Sequence, residues 1–136
     1  MRVVIDCNVV VSAALTPSGT CRLAVAEATR NHEILLSDAI LSEYRDVAGR
    51  PKFPPTVRER LHALIEEIAA HAMFIPAPAM SDLPSMPDED DVIYVIVAVI
   101  ANADVIVTGN TAHFIEPTYG RALVVSAREF LDMTGD

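Results

Sequence analysis

Four short runs of branched aliphatic residues, VVI at positions 3–5, ILL at 34–36, VIV at 105–107 and LVV at 123–125, constrain the fold more than any other feature. Unbroken apolar runs of this kind read as central strands covered on both faces. MFI at 73–75 is a weaker strand candidate. Between the runs the pattern turns helical. Thr56 with Glu59 reads as a capping box ahead of the stripe Leu61, Leu64, Ile65 and Ile68, and Ser126 with Glu129 repeats the box before Phe130 and Leu131. Residues 21–30 and 38–47 are further helices, the second introduced by Ser37 or Asp38. Residues 91–102 are rich in Val and Ile, and propensity leans to strand. Their length and acidic start predict a buried helix instead.

Strand and helix in alternation predict a parallel sheet with helices on both sides, a three-layer α/β/α sandwich. At 136 residues and 51% apolar, the chain fits one domain spanning 1–136. The longest apolar run, 92–101, is about half of what a bilayer needs, and the N-terminus lacks a signal-peptide pattern. A soluble, cytoplasmic protein with no membrane partner is expected. Cys7 and Cys21 are in no C-x-x-C or zinc spacing and read as reduced thiols, Cys7 as a small buried one rather than a nucleophile. A net charge of -9 argues against a simple nucleic-acid binder with a basic face. Carboxylates can still serve nucleic-acid chemistry if they gather divalent cations that bridge to phosphate.

The acids at 88–91, Asp88, Glu89, Asp90 and Asp91, stand directly against the apolar run. Two like charges about 4 Å apart at an effective dielectric near 20 repel by roughly 4 kcal/mol, and a divalent cation would offset that. In parallel sheets functional groups gather beyond the carboxyl ends of the strands. Asp6 closes the first strand, Glu43 lies in the helix after the second, Asp91 begins the helix after the third, and Asn110 follows the fourth. Asp6, Glu43 and Asp91, with Asn110 as a neutral oxygen donor or a group supporting one, would suit a hard cation such as Mg²⁺. Glu43 alone is more often a surface helix charge, and acids at a sheet edge also serve as helix caps or solvated loop charges. Asn8 and Ser12 are placed either to orient Asp6 or to cap the next helix. Thr108 is placed to position a carboxylate or simply to end its strand. Asp88 and Asp90 support the cluster or cap and solvate the helix start. Arg45, Arg50 and Lys52 form a modest basic group, for phosphate contact or as solvated charge.

In this order the segments resemble the PIN domain family, and within it the VapC-type toxins of toxin-antitoxin pairs. VVIDCNVVVSAAL is similar to the family's opening strand and turn, and LLSDAILSEYRDVAGRPKF to its second signature, with Glu43 in the acidic position. PDEDDVIYVIVAVIANADVIVTGN resembles the D-x-D-D segment, its helix and the T-G-[DN] strand end, and RALVVSAREFLD the closing strand and helix. The resemblance implies an endoribonuclease dependent on Mg²⁺ or Mn²⁺, with Asp6, Glu43 and Asp91 binding metal and a metal-activated water cleaving RNA. It also implies a homodimer silenced by a cognate antitoxin. Asn110 stands where many members have a fourth acid, which implies one tightly held metal and a substrate-dependent second, with Asp88 or Asp90 as a source of the missing charge. Two other readings remain. Asn110 and the low pI suit a catalytically silent PIN-like module that binds a protein partner. A strand-ending Asp also opens phosphatase folds, although Asn8 stands where their second Asp would be.

Overall fold

Val3, Val4 and Ile5 of the first strand, β1 (Arg2–Ile5), are all buried, as a strand covered on both faces must be. The computed structural model describes residues 1–76, 91–114 and 116–135. After β1 come α1 (Cys7–Leu15), α2 (Thr20–Asn31), β2 (Glu33–Leu36), α3 (Asp38–Ala48), α4 (Pro55–His71) and β3 (Met73–Phe74). Then follow α5 (Val92–Ile100), β4 (Val105–Val107), a 3-10 turn (Thr111–His113), β5 (Thr118–Tyr119), β6 (Ala122–Val125) and α6 (Ala127–Met133). The strand order is β3-β2-β1-β4-β6-β5. Five strands run parallel, with Val3 opposite both Ile34 and Val105, and helices flank the sheet in a three-layer α/β/α sandwich. β5 departs from the expected parallel order by pairing antiparallel with β6, through a tight turn in which Gly120 takes φ +60°.

Several local expectations need correction. The expected strand is present as β1, but the segment after it is a helix, not a turn, because Val9, Val10, Ala13 and Ala14 recur at helical spacing and are all buried. The box at Thr56 does not form. Pro55 occupies the first helical position, where its fixed φ suits the helix and its missing N–H is no loss, so the helix starts two residues early and Thr56 lies inside it. The outer strands are not covered on both faces: Met73, Phe74 and Leu123 are exposed.

Other expectations match. Ser37 caps α3 through the Ile40 N–H at 3.2 Å. Ser126 and Glu129 complete their box, each side chain accepting the other's backbone N–H at 3.0 Å. Residues 92–100 are helical despite their β-branched composition, since Tyr94, Val95, Val97 and Ala98 are each 0% exposed and one buried face outweighs propensity. The helix ends on Asn102 at φ +53°, with the Ala103 N–H returning to the Ala98 carbonyl at 2.9 Å. No single helix among the described residues is long and apolar enough to cross a membrane.

These caps separate in a urea titration. Ser126→Ala should lower stability by about 1 kcal/mol, whereas Thr56→Ala should stay within about 0.5 kcal/mol of the parent.

Candidate active site

The sheet grows outward from β1 through β2 to β3, and the chain then returns to β4 on the other side of β1. The β1/β4 boundary is thus the switch point beyond which open α/β sheets place ligands. Asp6 leaves β1 there, donating its N–H to the Val107 carbonyl at 2.9 Å. Thr108 leaves β4 beside it and donates its hydroxyl to Asp6 Oδ2 at 2.8 Å, with both residues buried. Asn8 Oδ1 accepts the Gly109 N–H at 2.9 Å and so ties α1 to the end of β4.

Asp6 and Asp91 occupy the N-cap positions of α1 and α5, yet neither side chain caps its helix. An Asp in that position normally accepts an N–H from the first turn, worth about 1 kcal/mol. Here both carboxylates are directed elsewhere while still lying at the positive ends of helix dipoles. Glu43 comes from α3, where Ile40, Tyr44 and Ala48 form the buried face and Glu43 sits half-buried at its margin. Asp6, Glu43 and Asp91 line one cavity of about 360 Å³, together with Asn8, Ser12 and an apolar wall that includes Val11 and Phe53. Burial raises the Cys21 thiol, against a smaller lowering effect of Ser12.

The basic group divides. Arg50 and Lys52 line the cavity, with Lys52 Nζ over the Phe53 ring at 5.2 Å and Arg50 3.7 Å from Asp46. Arg45 turns away to Glu66 on α4, at 3.0 Å. Asn110 is not in the cavity wall; its Oδ1 accepts the Ala112 N–H at 3.2 Å and starts the 3-10 turn. Asp88 and Asp90 lie outside the described residues.

Two residues without any motif hold the backbone around Asp6. The Tyr44 hydroxyl donates to the Ile5 carbonyl, and the Tyr94 hydroxyl accepts the Cys7 N–H at 3.2 Å. Their only signal in the sequence is position, Tyr44 beside Glu43 and Tyr94 one turn past Asp91.

A larger cavity, of about 740 Å³, lies elsewhere and is lined by Arg2, Arg30, His32, Asp104 and Arg121 among others. It carries less chemistry, because Arg2 is engaged by Glu33 and the Ala101 carbonyl and Arg121 by Asp104.

A model of the PIN domain matches residues 2–112. The chain belongs to the PIN domain family. The match contains Asp6, Glu43, Asp91, Thr108 and Asn110, and stops before β5, β6 and α6. PIN domains are generally nucleases. Among solved structures the chain resembles VapBC2 from Rickettsia felis bound to a DNA fragment from its promoter, with a TM-score of 0.61 at 14% identity over 93% of this chain and 98% of that one. That likeness shows the fold. No curated protein matches in sequence.

The donor set of this PIN domain suits a hard divalent cation: carboxylate, amide and hydroxyl oxygens around one cavity. The field there is negative. Burial first, then Glu43 and Asp6, push the Cys7 thiol up to about 12, against a smaller opposing effect of Arg50. Burial with neighbouring negative groups also raises both Tyr44 and Tyr94 far above the ordinary phenol range. Among the described residues no three His, Cys, Asp or Glu side chains close on one point as a metal cage would. Mg²⁺ commonly keeps several waters and takes only one or two carboxylates directly, so carboxylates spread around a shared cavity remain compatible with it.

Cys7 gives a pH signature. The folded thiol keeps its proton to about pH 12, while the unfolded thiol loses it near its ordinary 9.0. The stabilising difference is intact below pH 9 and is lost as pH rises. Between pH 9 and 10 that loss should be about 1 kcal/mol in urea denaturation, and Cys7→Ala should remove it.

Proposed function

We propose that this PIN domain is a metal-dependent endoribonuclease and the toxin of a toxin-antitoxin pair. The observation that carries the reading is the convergence of Asp6, Glu43 and Asp91, from three separate elements, on one cavity whose wall also contains Arg50 and Lys52. Carboxylates alone would repel an RNA phosphate, and a basic pair alone would bind it without cutting. A divalent cation would supply the charge that draws the scissile phosphate to the acids and acidifies a water beside it. The residues of the chain do the rest. Thr108 fixes the Asp6 carboxylate from the β4 side. Phe53 supports the Lys52 ammonium at the cavity, where it can meet a backbone phosphate.

The biological part of the proposal has separate support. The VapBC2 neighbour was solved as a complex with its promoter DNA. By analogy, this chain would pair with a cognate antitoxin. That it acts as a cytoplasmic homodimer is our further proposal, resting on the resemblance of its motifs to the VapC-type toxins.

Purified protein should cleave RNA with Mg²⁺ or Mn²⁺, stop on chelation, and lose more than about 100-fold of its rate in Asp6→Asn. Cleavage that survives both treatments would sink the nuclease reading. Calorimetry that detects no divalent binding, alongside a stable partner complex, would favour a silent binding module instead. The basic residues provide a second test, the salt dependence of RNA binding. Arg50→Ala and Lys52→Ala should each weaken binding across all sequences and reduce the slope against log salt by about one, while Arg45→Ala should leave it unchanged.

A further inference from the structure

Asp6 is held between two tyrosine hydroxyls that come from the helices bearing the other two acids. Tyr44 follows Glu43 on α3, is 1% exposed, and donates to the carbonyl of Ile5, the residue before Asp6. Tyr94 lies three residues after Asp91, at the start of α5, is 0% exposed, and accepts the N–H of Cys7, the residue after Asp6. Each helix thus reaches a different side of the β1–α1 junction through a rigid ring. Phenylalanine would fill nearly the same space and bury no polar atom. A buried hydroxyl is tolerated because it is bonded, and in both cases the bond goes to the backbone beside Asp6.

We propose that Tyr44 and Tyr94 are positioning residues, a pair of buried braces that set the separation of Glu43 and Asp91 from Asp6 before any cation binds. The proposal rests on the nuclease reading of this cavity. Three carboxylates facing one space repel, and α3 and α5 are joined to β1 by no ladder of backbone hydrogen bonds. Side-chain links therefore carry the spacing. Tyr94 has a second effect. It takes the first N–H of α1, and Val9 donates to the Asp6 carbonyl at 3.0 Å, so the first turn makes less demand on the Asp6 carboxylate as a cap. The carboxylate stays with Thr108, beside the cavity.

The test uses Tyr44→Phe, Tyr94→Phe and the double variant, with Mn²⁺ titration calorimetry and crystal structures of the metal-free proteins. Each single variant should lose about tenfold in Mn²⁺ affinity, as removal of groups that orient metal ligands typically does. The double variant should lose more, and kcat for RNA should fall with KM unchanged. In metal-free Tyr94→Phe, where the Cys7 N–H loses its acceptor, the Asp6 carboxylate should turn toward the first turn of α1, or Asp91 should shift. Ile68→Val, a core change in α4, lowers stability without touching the site and should leave Mn²⁺ affinity as it was. Unchanged affinity in both Phe variants, with the carboxylates in place, would overturn the braces and leave the nuclease reading standing. A wild-type protein that takes up no Mn²⁺ would remove the nuclease reading. Unmoved carboxylates in the metal-free variants would then overturn the braces as well.

Discussion

Where β1 and β4 run side by side, Val3 faces Val105 and Ile5 faces Val107, and residues 102 positions apart come within hydrogen-bonding reach. The pairing is pinned at both ends. At the start of the strands the Arg2 N–H donates to Asp104 Oδ2 at 2.7 Å and the Asp104 N–H to the Arg2 carbonyl at 2.8 Å. At the exit the Thr108 hydroxyl holds Asp6. Hydrophobic burial on both faces makes this pair the least negotiable part of the sheet, because a one-residue slip would misplace Asp6 against Thr108. The candidate site inherits its registration from that constraint.

A buried carboxylate is expensive, and this chain brings two, Asp6 and Asp91, to one cavity beside the half-buried Glu43. The cost is moderated in several ways visible in the structure. Asp6 and Asp91 lie at helix N-termini, where aligned peptide dipoles favour negative charge. Asp6 accepts a hydroxyl proton, and Arg50 and Lys52 bring positive charge to the same wall. What remains is a negative field that adds to burial in raising the Cys7 thiol. Such a field is poorly suited to RNA on its own and well suited to a cation that RNA can share.

Much of the architecture was legible in the sequence because it is written in neighbouring residues. Apolar runs of three marked β1, β2, β4 and β6, and the Ser126 box marked the start of α6. The pattern misled where two local signals competed. Pro55 overrode the box at Thr56, and the helical period of α1 was hidden behind a β-branched run. The acids of the site were legible from the carboxyl-edge rule, since Asp6, Glu43 and Asp91 all line the cavity. Asn110 obeys the same rule by position, yet its side chain serves a local turn, a choice made by the φ and ψ of one residue.

By itself the sequence determined the order of the strands and helices other than α1 and β5, most of their boundaries, and which acids stand at the carboxyl edge. These depend on side-chain period and on caps, which act within about four residues. Only the tertiary structure decided that Asp6 and Asp91 would leave their helices uncapped, that Arg50 and Lys52 would face the acids while Arg45 turned to Glu66, and that two tyrosines would grip the backbone beside Asp6. Those outcomes depend on strand order and on how each helix is rotated against the sheet. Both are set by packing between segments far apart in the chain.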